Sequence, residues 1–366
     1  MSKMGKTVAV ETSSYASEIQ AVAEAVEASR TEGALSFAFI TDLHHRASGN
    51  QLRAAWALRE LSARLRLDFV LHGGDASVNG PKEEVVTAQR EMAEALAGAG
   101  VPVLTAKGNH DDNSIYDHER KTGSTEHVVF PQESKAIWGA ASIAVARYDD
   151  SRPDSLYFYA DFPEKRVRVV VLDCIDHPYR LKESGELAYV GQWHYVFSQG
   201  QLEWLAHRAF DLRDRPEWSV LILSHVAILQ DGVFGTDHPV RNGEALWDIV
   251  KAFRTGDRFR GEGGEGEFAY RIDADFAAQG ARDVIGCWFG HVHHDQVVVR
   301  DGIPNISAVN AWTLQEFPES PKREEGSITE TAFDIVTADL GAKVCRLTRF
   351  GAGASRTVSY GGGKYF

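Results

Sequence analysis

Three features of this chain predict an α/β fold. Short apolar, β-favouring runs alternate with stretches of helical period over its first third. Each of those runs ends abruptly in Asp, Asn or His, and glycines stand beside the ends, where backbone must turn or approach closely. Open α/β sheets bind ligands at the carboxyl edges of their strands. The strand ends are therefore the candidate functional positions.

Residues 1–14 read as a loose leader. A helix is predicted over 16–30, with Ile19, Val22 and Val26 on one stripe, packing on the outside of the domain, with homo-oligomerisation as its alternative use. Residues 35–41 form a buried strand that ends in Asp42-Leu43-His44-His45. Gly49-Asn50 opens a helix to about residue 66, and strand 68–71 leads through Gly73-Gly74 to Asp75. Pro81 suits the first turn of the next helix, which Gly98 and Gly100 close. Strand 101–106 ends in Gly108-Asn109-His110-Asp111, completing a parallel βαβαβ unit.

Residues 112–153 predict a helix and irregular structure over the site. The runs 156–162 and 166–173 flank Pro163-Glu164-Lys165 as a hairpin. The stretch 174–198 is too long for a mere connector. A helix over 199–212 leads to strand 218–223 and His225, and another helix follows over 242–254. The Gly-rich, acidic run 256–267 reads as a flexible surface loop, with a mobile lid as the alternative. Strand 283–289 ends in Gly290-His291-Val292-His293-His294, and the remainder alternates as antiparallel strands. With no internal repeat or linker, the organisation expected is 1–34 as leader and helix, 35–350 as one domain, and 351–366 as a tail.

Hydrophobic content of 43% and charged content of 25% are ordinary for a globular protein. The formal net charge of −13 argues against a broad phosphate-backbone-binding surface. An anionic substrate then needs a local positive source, such as bound metal. Cys174, Cys287 and Cys345 are widely spaced without a CxxC, so buried, reduced thiols are expected. Lys3 and Lys6 precede no apolar run and no stretch has the length of a membrane span, which makes a cytoplasmic location the expectation.

The polar residues at the strand ends are Asp42, His44, Asp75, Asn109, His110, His225, His291 and His293. Oxygen and imidazole donors without sulfur suit Mn²⁺, Fe²⁺/³⁺ or Zn²⁺ in octahedral or five-coordinate sites. Asp42 and His44 are two apart, as are His291 and His293; in extended backbone each pair points one way and can grip from one side. Asp75, presented from the carboxyl edge, is the expected bridge between two cations.

The motifs D-x-H (42–44), G-D (74–75), G-N-H-D (108–111), a later single His (225) and G-H-x-H (290–293) stand in the order of the calcineurin-like metallophosphoesterases. The chain resembles that superfamily over about residues 35–310. The resemblance implies a four-layer α/β/β/α sandwich, here with an N-terminal helix and rim insertions. It implies one metal held by Asp42, His44, Asp75 and His293, a second held by Asp75, Asn109, His225 and His291, and His110 as the acid near the leaving group. In a site of that type two cations about 3.5 to 4 Å apart share a hydroxide that attacks phosphorus in line, and His110 protonates the departing oxygen.

Protein-phosphatase members of the family follow G-D with Asp-Arg-Gly; here the run is Ala76-Ser77-Val78-Asn79-Gly80, which leaves Asn79 as the candidate for orienting His110. G-D-x-x-x-x-G, then Glu83-Glu84 and a later GNHDD, resembles the small-molecule phosphodiesterase branch. The ending RFGAG (349–353) resembles a subset of bacterial and phage members. Candidate substrate contacts are His45, Arg46, Asn79, His194 and Arg241. Asp173, His72 and His294 read as structural. The function expected is a two-metal phosphoester hydrolase acting on a small phosphodiester or nucleotide-like substrate. The alternatives are a phosphomonoesterase, a nuclease of the same fold, which the acidic balance disfavours, and a non-catalytic metal-binding interaction module.

Overall fold

The computed structural model describes residues 15–361 except 48 and 143. The expected leader 1–14, and residues 362–366 of the expected tail, lie outside the described residues.

β1 (Leu35–Ile40) and β2 (Phe69–His72) are buried along their whole length, and β3 (Val103–Thr105) nearly so. Helices α2 (Leu52–Arg64) and α3 (Lys82–Ala97) connect them. Both strand pairs are parallel, so the expected βαβαβ unit is present. Three antiparallel strands extend this sheet on the other side of β1: β15 (Ala332–Asp339), β16 (Val344–Gly351) and β17 (Arg356–Ser359). Residues 351–366 were expected as a tail, but β17 lies in the sheet because Val358 is buried against the core and Arg356 pairs with Asp334.

A second sheet contains β4 (Ala146–Tyr148), β5 (Phe158–Phe162), β6 (Val167–Val171), β8 (Ser219–Leu223), β12 (Val284–Phe289), β13 (Gln296–Arg300) and β14 (Ile303–Ser307), in the order β13-β14-β12-β8-β6-β5-β4. The β5–β6 hairpin stands where expected. The C-terminal strands are not all antiparallel: β14 pairs parallel with β12.

The inner faces of the two sheets meet through Phe37, Phe39, Phe69 and Leu71 on one side and Val169, Val171, Leu221 and Trp288 on the other. Trp288 meets Phe37 and Phe39 edge to face, with centroids 5.3 and 5.1 Å away. Each fully buried side chain of this size contributes on the order of 1.5–3 kcal/mol. The outer face of the first sheet is covered by α1 (Ala16–Ser29), α2, α3 and α5 (Pro131–Ser142), through Ile19, Val26, Leu58, Met92 and Trp138. The outer face of the second is covered by α6 (Gln199–Trp204), the π-helical turn Leu205–Ala209 that continues it, and α7 (Gly243–Thr255). Four layers result, α/β/β/α. The apolar stripe of α1, Ile19, Val22 and Val26, packs on its own chain, as the outer-face reading expects.

Two expectations need correction. Residues 112–153 form α4 (Ser114–Arg120), α5 and β4; Ile137 and Trp138 take α5 to the outer helical layer, not over the strand ends. Residues 256–267 are no loose loop: β10 (Arg258–Gly263) pairs antiparallel with β11 (Tyr270–Asp275). Ion pairs from Arg258 and Arg260 to Asp273 hold that hairpin, and Ile272 and Ala274 anchor it to the core. A short parallel pair, β7 (Tyr195–Val196) with β9 (Val240–Arg241), ties the 174–198 stretch to the segment after β8. Among the described residues no helix is long and apolar enough to cross a membrane.

Candidate metal centre

The carboxyl ends of β1, β2 and β3 in one sheet face those of β8 and β12 in the other. Backbone hydrogen bonds join the loops: Asp42 N–H donates to Gly74 O (3.0 Å), His44 N–H to Asp75 O (2.9 Å) and Gly290 N–H to His225 O (3.0 Å). The loop after β3 is held by Asp111, whose carboxylate accepts the backbone N–H groups of Asp75, Ala76, Ser77 and Gly108 at 2.9 to 3.3 Å. Gly108 is required by close approach: a Cβ there would lie 2.1 Å from Asp75 Oδ1. One on Gly290 would lie 2.0 Å from Thr41 Oγ1.

Asp42, His44, Asp75, His291 and His293 all have positive φ, between 45° and 67°. The pairs 42/44 and 291/293 therefore do not converge through extended backbone, as the spacing predicts. They turn inward through left-handed residues, a strained conformation that persists where surrounding structure enforces it, and one that clusters at functional sites.

Asp75 Oδ2 stands 3.8 Å from His44 Nε2 and 3.4 Å from His225 Nε2. On one side of it, His44 Nε2 and His293 Nε2 are 3.1 Å apart, and Asp42 Oδ1 is 3.3 Å from His293 Nε2. On the other, Asn109 Oδ1 lies 2.8 Å from His225 Nε2 and 2.9 Å from His291 Nδ1. His225 Nδ1–H donates to Gly73 O at 2.8 Å, which turns Nε2 toward the cluster. Asp42 receives the Thr41 hydroxyl (2.6 Å) and the backbone N–H of His291 (3.0 Å to Oδ2), so the first sheet grips the second through it.

This donor set fits divalent cations. Ligand atoms of Asp42, His44 and His293 lie within 4.8 Å of one another, as do those of Asp75, His225 and His291. Burial opposes charge on Asp42, but the neighbouring His293 outweighs it and lowers the carboxyl to about 2. Burial equally opposes a charged His293, and Asp42 outweighs that, raising the imidazole to about 10. His225 is raised to about 9 because Asp75 overcomes its burial. Burial prevails at His44, which is lowered to about 3 against the pull of Asp75. The two buried carboxylates thus draw positive charge onto adjacent rings, as a cation site must.

The calcineurin-like phosphoesterase family profile matches residues 35–295. The chain belongs to the calcineurin-like phosphoesterase family. It is accordingly a hydrolase of phosphoric esters that binds metal. A dimetal phosphatase from Danio rerio is similar in structure, with a TM-score of 0.57 at 16% identity, covering 89% of this chain and 99% of that one. GAP50, the anchor in the inner membrane complex of Plasmodium, gives a TM-score of 0.41 at 11% identity, covering 90% of this chain and 86% of that one. TT1561 of Thermus thermophilus gives 0.40 at 9% identity, covering 89% and 99%. No curated protein matches the chain in sequence.

In this phosphoesterase His110 sits at the mouth of the cluster. Its Nε2 is 4.0 Å from Asp75 Oδ2, its backbone N–H donates to Asp75 Oδ1 at 2.8 Å, and its ring meets His44 edge-on at 4.8 Å. Asn79 Nδ2 donates to the backbone carbonyl of His110 at 3.2 Å, so it holds the loop and not the ring. The other substrate-contact candidates are drawn elsewhere. His45 turns to Glu91 Oε2 (2.9 Å), behind the loop; its i+1 position puts it on the helical side. His194 Nδ1 accepts the Val190 N–H at 3.0 Å, and the Arg241 guanidinium lies 5.5 Å from the Phe268 ring centroid. Arg46 is exposed. His72 is packed, as expected, stacked on Trp138 at 5.0 Å. Asp173 is buried, with its carboxylate accepting the Ile175 N–H at 2.9 Å.

Residues that the motifs do not reach also border the cluster. The Trp312 ring lies 5.1 Å from that of His44, and Gln192 Nε2 lies 3.4 Å from His110 Nε2. Asp237 and Glu316 contact the outer nitrogens of His291 and His293. Asp111 closes the G-N-H-D motif (108–111); Trp312, Gln192, Asp237 and Glu316 carry no local pattern. A groove of about 880 Å³ lined by Arg147, Arg152, Trp204 and Arg208 lies apart from the cluster and includes none of its residues.

Proposed function

We propose that this phosphoesterase uses two divalent cations (Mn, Fe or Zn) to hydrolyse small phosphodiesters or nucleotide-derived esters. The position of Asp75 carries this reading, with Oδ2 3.8 Å from His44 Nε2 and 3.4 Å from His225 Nε2, between two donor groups. Asp42, His44 and His293 would complete one site with Asp75, and Asn109, His225 and His291 the other. When bound, the cations supply a water activated near neutral pH and neutralise charge on the phosphoryl oxygens. His110 donates the proton that the leaving oxygen needs. Burial lowers its pKa, only partly opposed by Asp75, so the protonated ring gives up its proton readily beside the cluster.

Preference for a diester follows from charge. A monoester dianion presents about two charges and three terminal oxygens, and the oxygen beyond the two that the cations would take calls for an Arg clamp. Arg241 lies against Phe268, and Arg258 and Arg260 pair with Asp273. The mouth instead carries the carboxylates of Asp237 and Glu316, with side chains 39% and 40% exposed. A diester, with one charge and two free oxygens, suits such a mouth, and its poor alkoxide leaving group makes use of His110. The test is kcat/KM for bis-(p-nitrophenyl) phosphate against p-nitrophenyl phosphate at equal metal loading. A diester preference is expected; a monoester preference of about tenfold, or 1.4 kcal/mol, overturns it.

A further inference from the structure

We infer that Asp237 and Glu316 are positioning residues, each tuning one of the two cation sites through the outer nitrogen of a histidine. The inference rests on the two-metal reading above and extends it to residues outside every motif. His291 offers Nδ1 beside Asn109 Oδ1, at 2.9 Å, while its Nε2–H donates to Asp237 Oδ1 at 3.0 Å. His293 Nε2 lies beside Asp42 Oδ1, at 3.3 Å, while its Nδ1–H donates to Glu316. In each ring the anionic acceptor holds the proton on the outer nitrogen. That turns the inner nitrogen toward the cluster and makes it a more basic ligand.

His225 shows the alternative within the same centre. It is fully buried, and the Gly73 carbonyl serves its outer nitrogen at 2.8 Å. His291 and His293 lie farther out, where among the described residues no strand-end carbonyl meets their outer nitrogens, and side chains from two loops perform the task. Asp237 comes from the segment between β8 and β9, and Glu316 from the segment between β14 and β15. The two loops are fastened to each other by Phe234 and Phe317, whose rings meet edge-on at 5.0 Å, and Gln296 bonds both backbone groups of Phe234 at 3.0 Å. The clasp accounts for an otherwise unexplained exposed aromatic, Phe234, at 46% exposure.

The experiment is Mn²⁺ titration of metal-free protein by calorimetry, for wild type, Asp237→Ala, Asp237→Asn, Glu316→Ala and Glu316→Gln. Each Ala variant should weaken one of two binding steps by roughly 10- to 100-fold and leave the other near wild type. The amide variants keep an acceptor without the charge and should fall between. Glu316→Ala should add nothing in a His293→Ala background, and Asp237→Ala nothing in His291→Ala, whereas a merely structural effect would add. Both side chains are substantially solvated, so thermal midpoints should stay near wild type. Two ions bound at wild-type affinity by both Ala variants would overturn the inference. A wild type that binds no Mn²⁺ would instead overturn the two-metal reading itself.

Discussion

Asp42, Asp75, Asn109 and His225 are at most 2% exposed, whereas Asp237 and Glu316, which stand behind His291 and His293, keep 39% and 40% of their side chains in solvent. The inner group is placed by backbone: left-handed turns, glycines that admit close approach, and the four N–H groups gathered by Asp111. The outer group is placed by side chains on long segments. A substitution at the floor should therefore abolish chemistry, and one at the rim should tune it.

The largest effect is expected at Asp75. Asp75→Asn should cost more than the roughly 10²- to 10⁴-fold typical of losing a general acid or base, and metal content should fall with it, because Asp75 alone is proposed to touch both cations. His110→Ala comes next. Turnover should drop by roughly 10²- to 10⁴-fold with bound metal near wild type. That loss should shrink for aryl esters, whose leaving group needs no proton; equal losses on aryl and alkyl esters would remove the acid role. Asp111→Ala separates floor from chemistry, since it touches no substrate yet leaves four backbone donors without their acceptor. Its thermal or denaturant stability should fall by about 1–3 kcal/mol for each donor that water does not rescue, with activity falling alongside. At the rim, Arg46→Ala and Arg241→Ala should change kcat/KM by less than about threefold, within the roughly 0.5 kcal/mol usual for surface substitutions. A tenfold loss at Arg241 would place a phosphate-binding cation at the mouth and reopen the monoester reading.

The same contrast explains what could be read in the sequence. Every floor residue stands within a few positions of the end of a short apolar run, so buried-strand patterns locate Asp42, Asp75, Asn109, His225 and the 291–293 pair in the sequence. Their convergence could be expected, but not the left-handed turns that achieve it, because non-glycine positive φ leaves little compositional trace. Asp237 and Glu316 were invisible for a different reason: no periodicity locates them, and only tertiary packing brings them to the histidines. The β10–β11 hairpin was missed because Gly261, Gly263 and Glu262 weaken β propensity, while the ion pairs to Asp273 are non-local. The short strand β4 and the terminal strand β17 were missed because each is stabilised by a neighbour already in place.

One carboxylate, that of Asp75, is proposed to join two cation sites. The measurement that meets this most directly is a stepwise Mn²⁺ titration of metal-free wild type, following bound ions and bis-(p-nitrophenyl) phosphate turnover together. Binding should saturate at two ions per chain, with turnover appearing as the second site fills. Full turnover with a single ion bound, or in the presence of excess chelator, would contradict it.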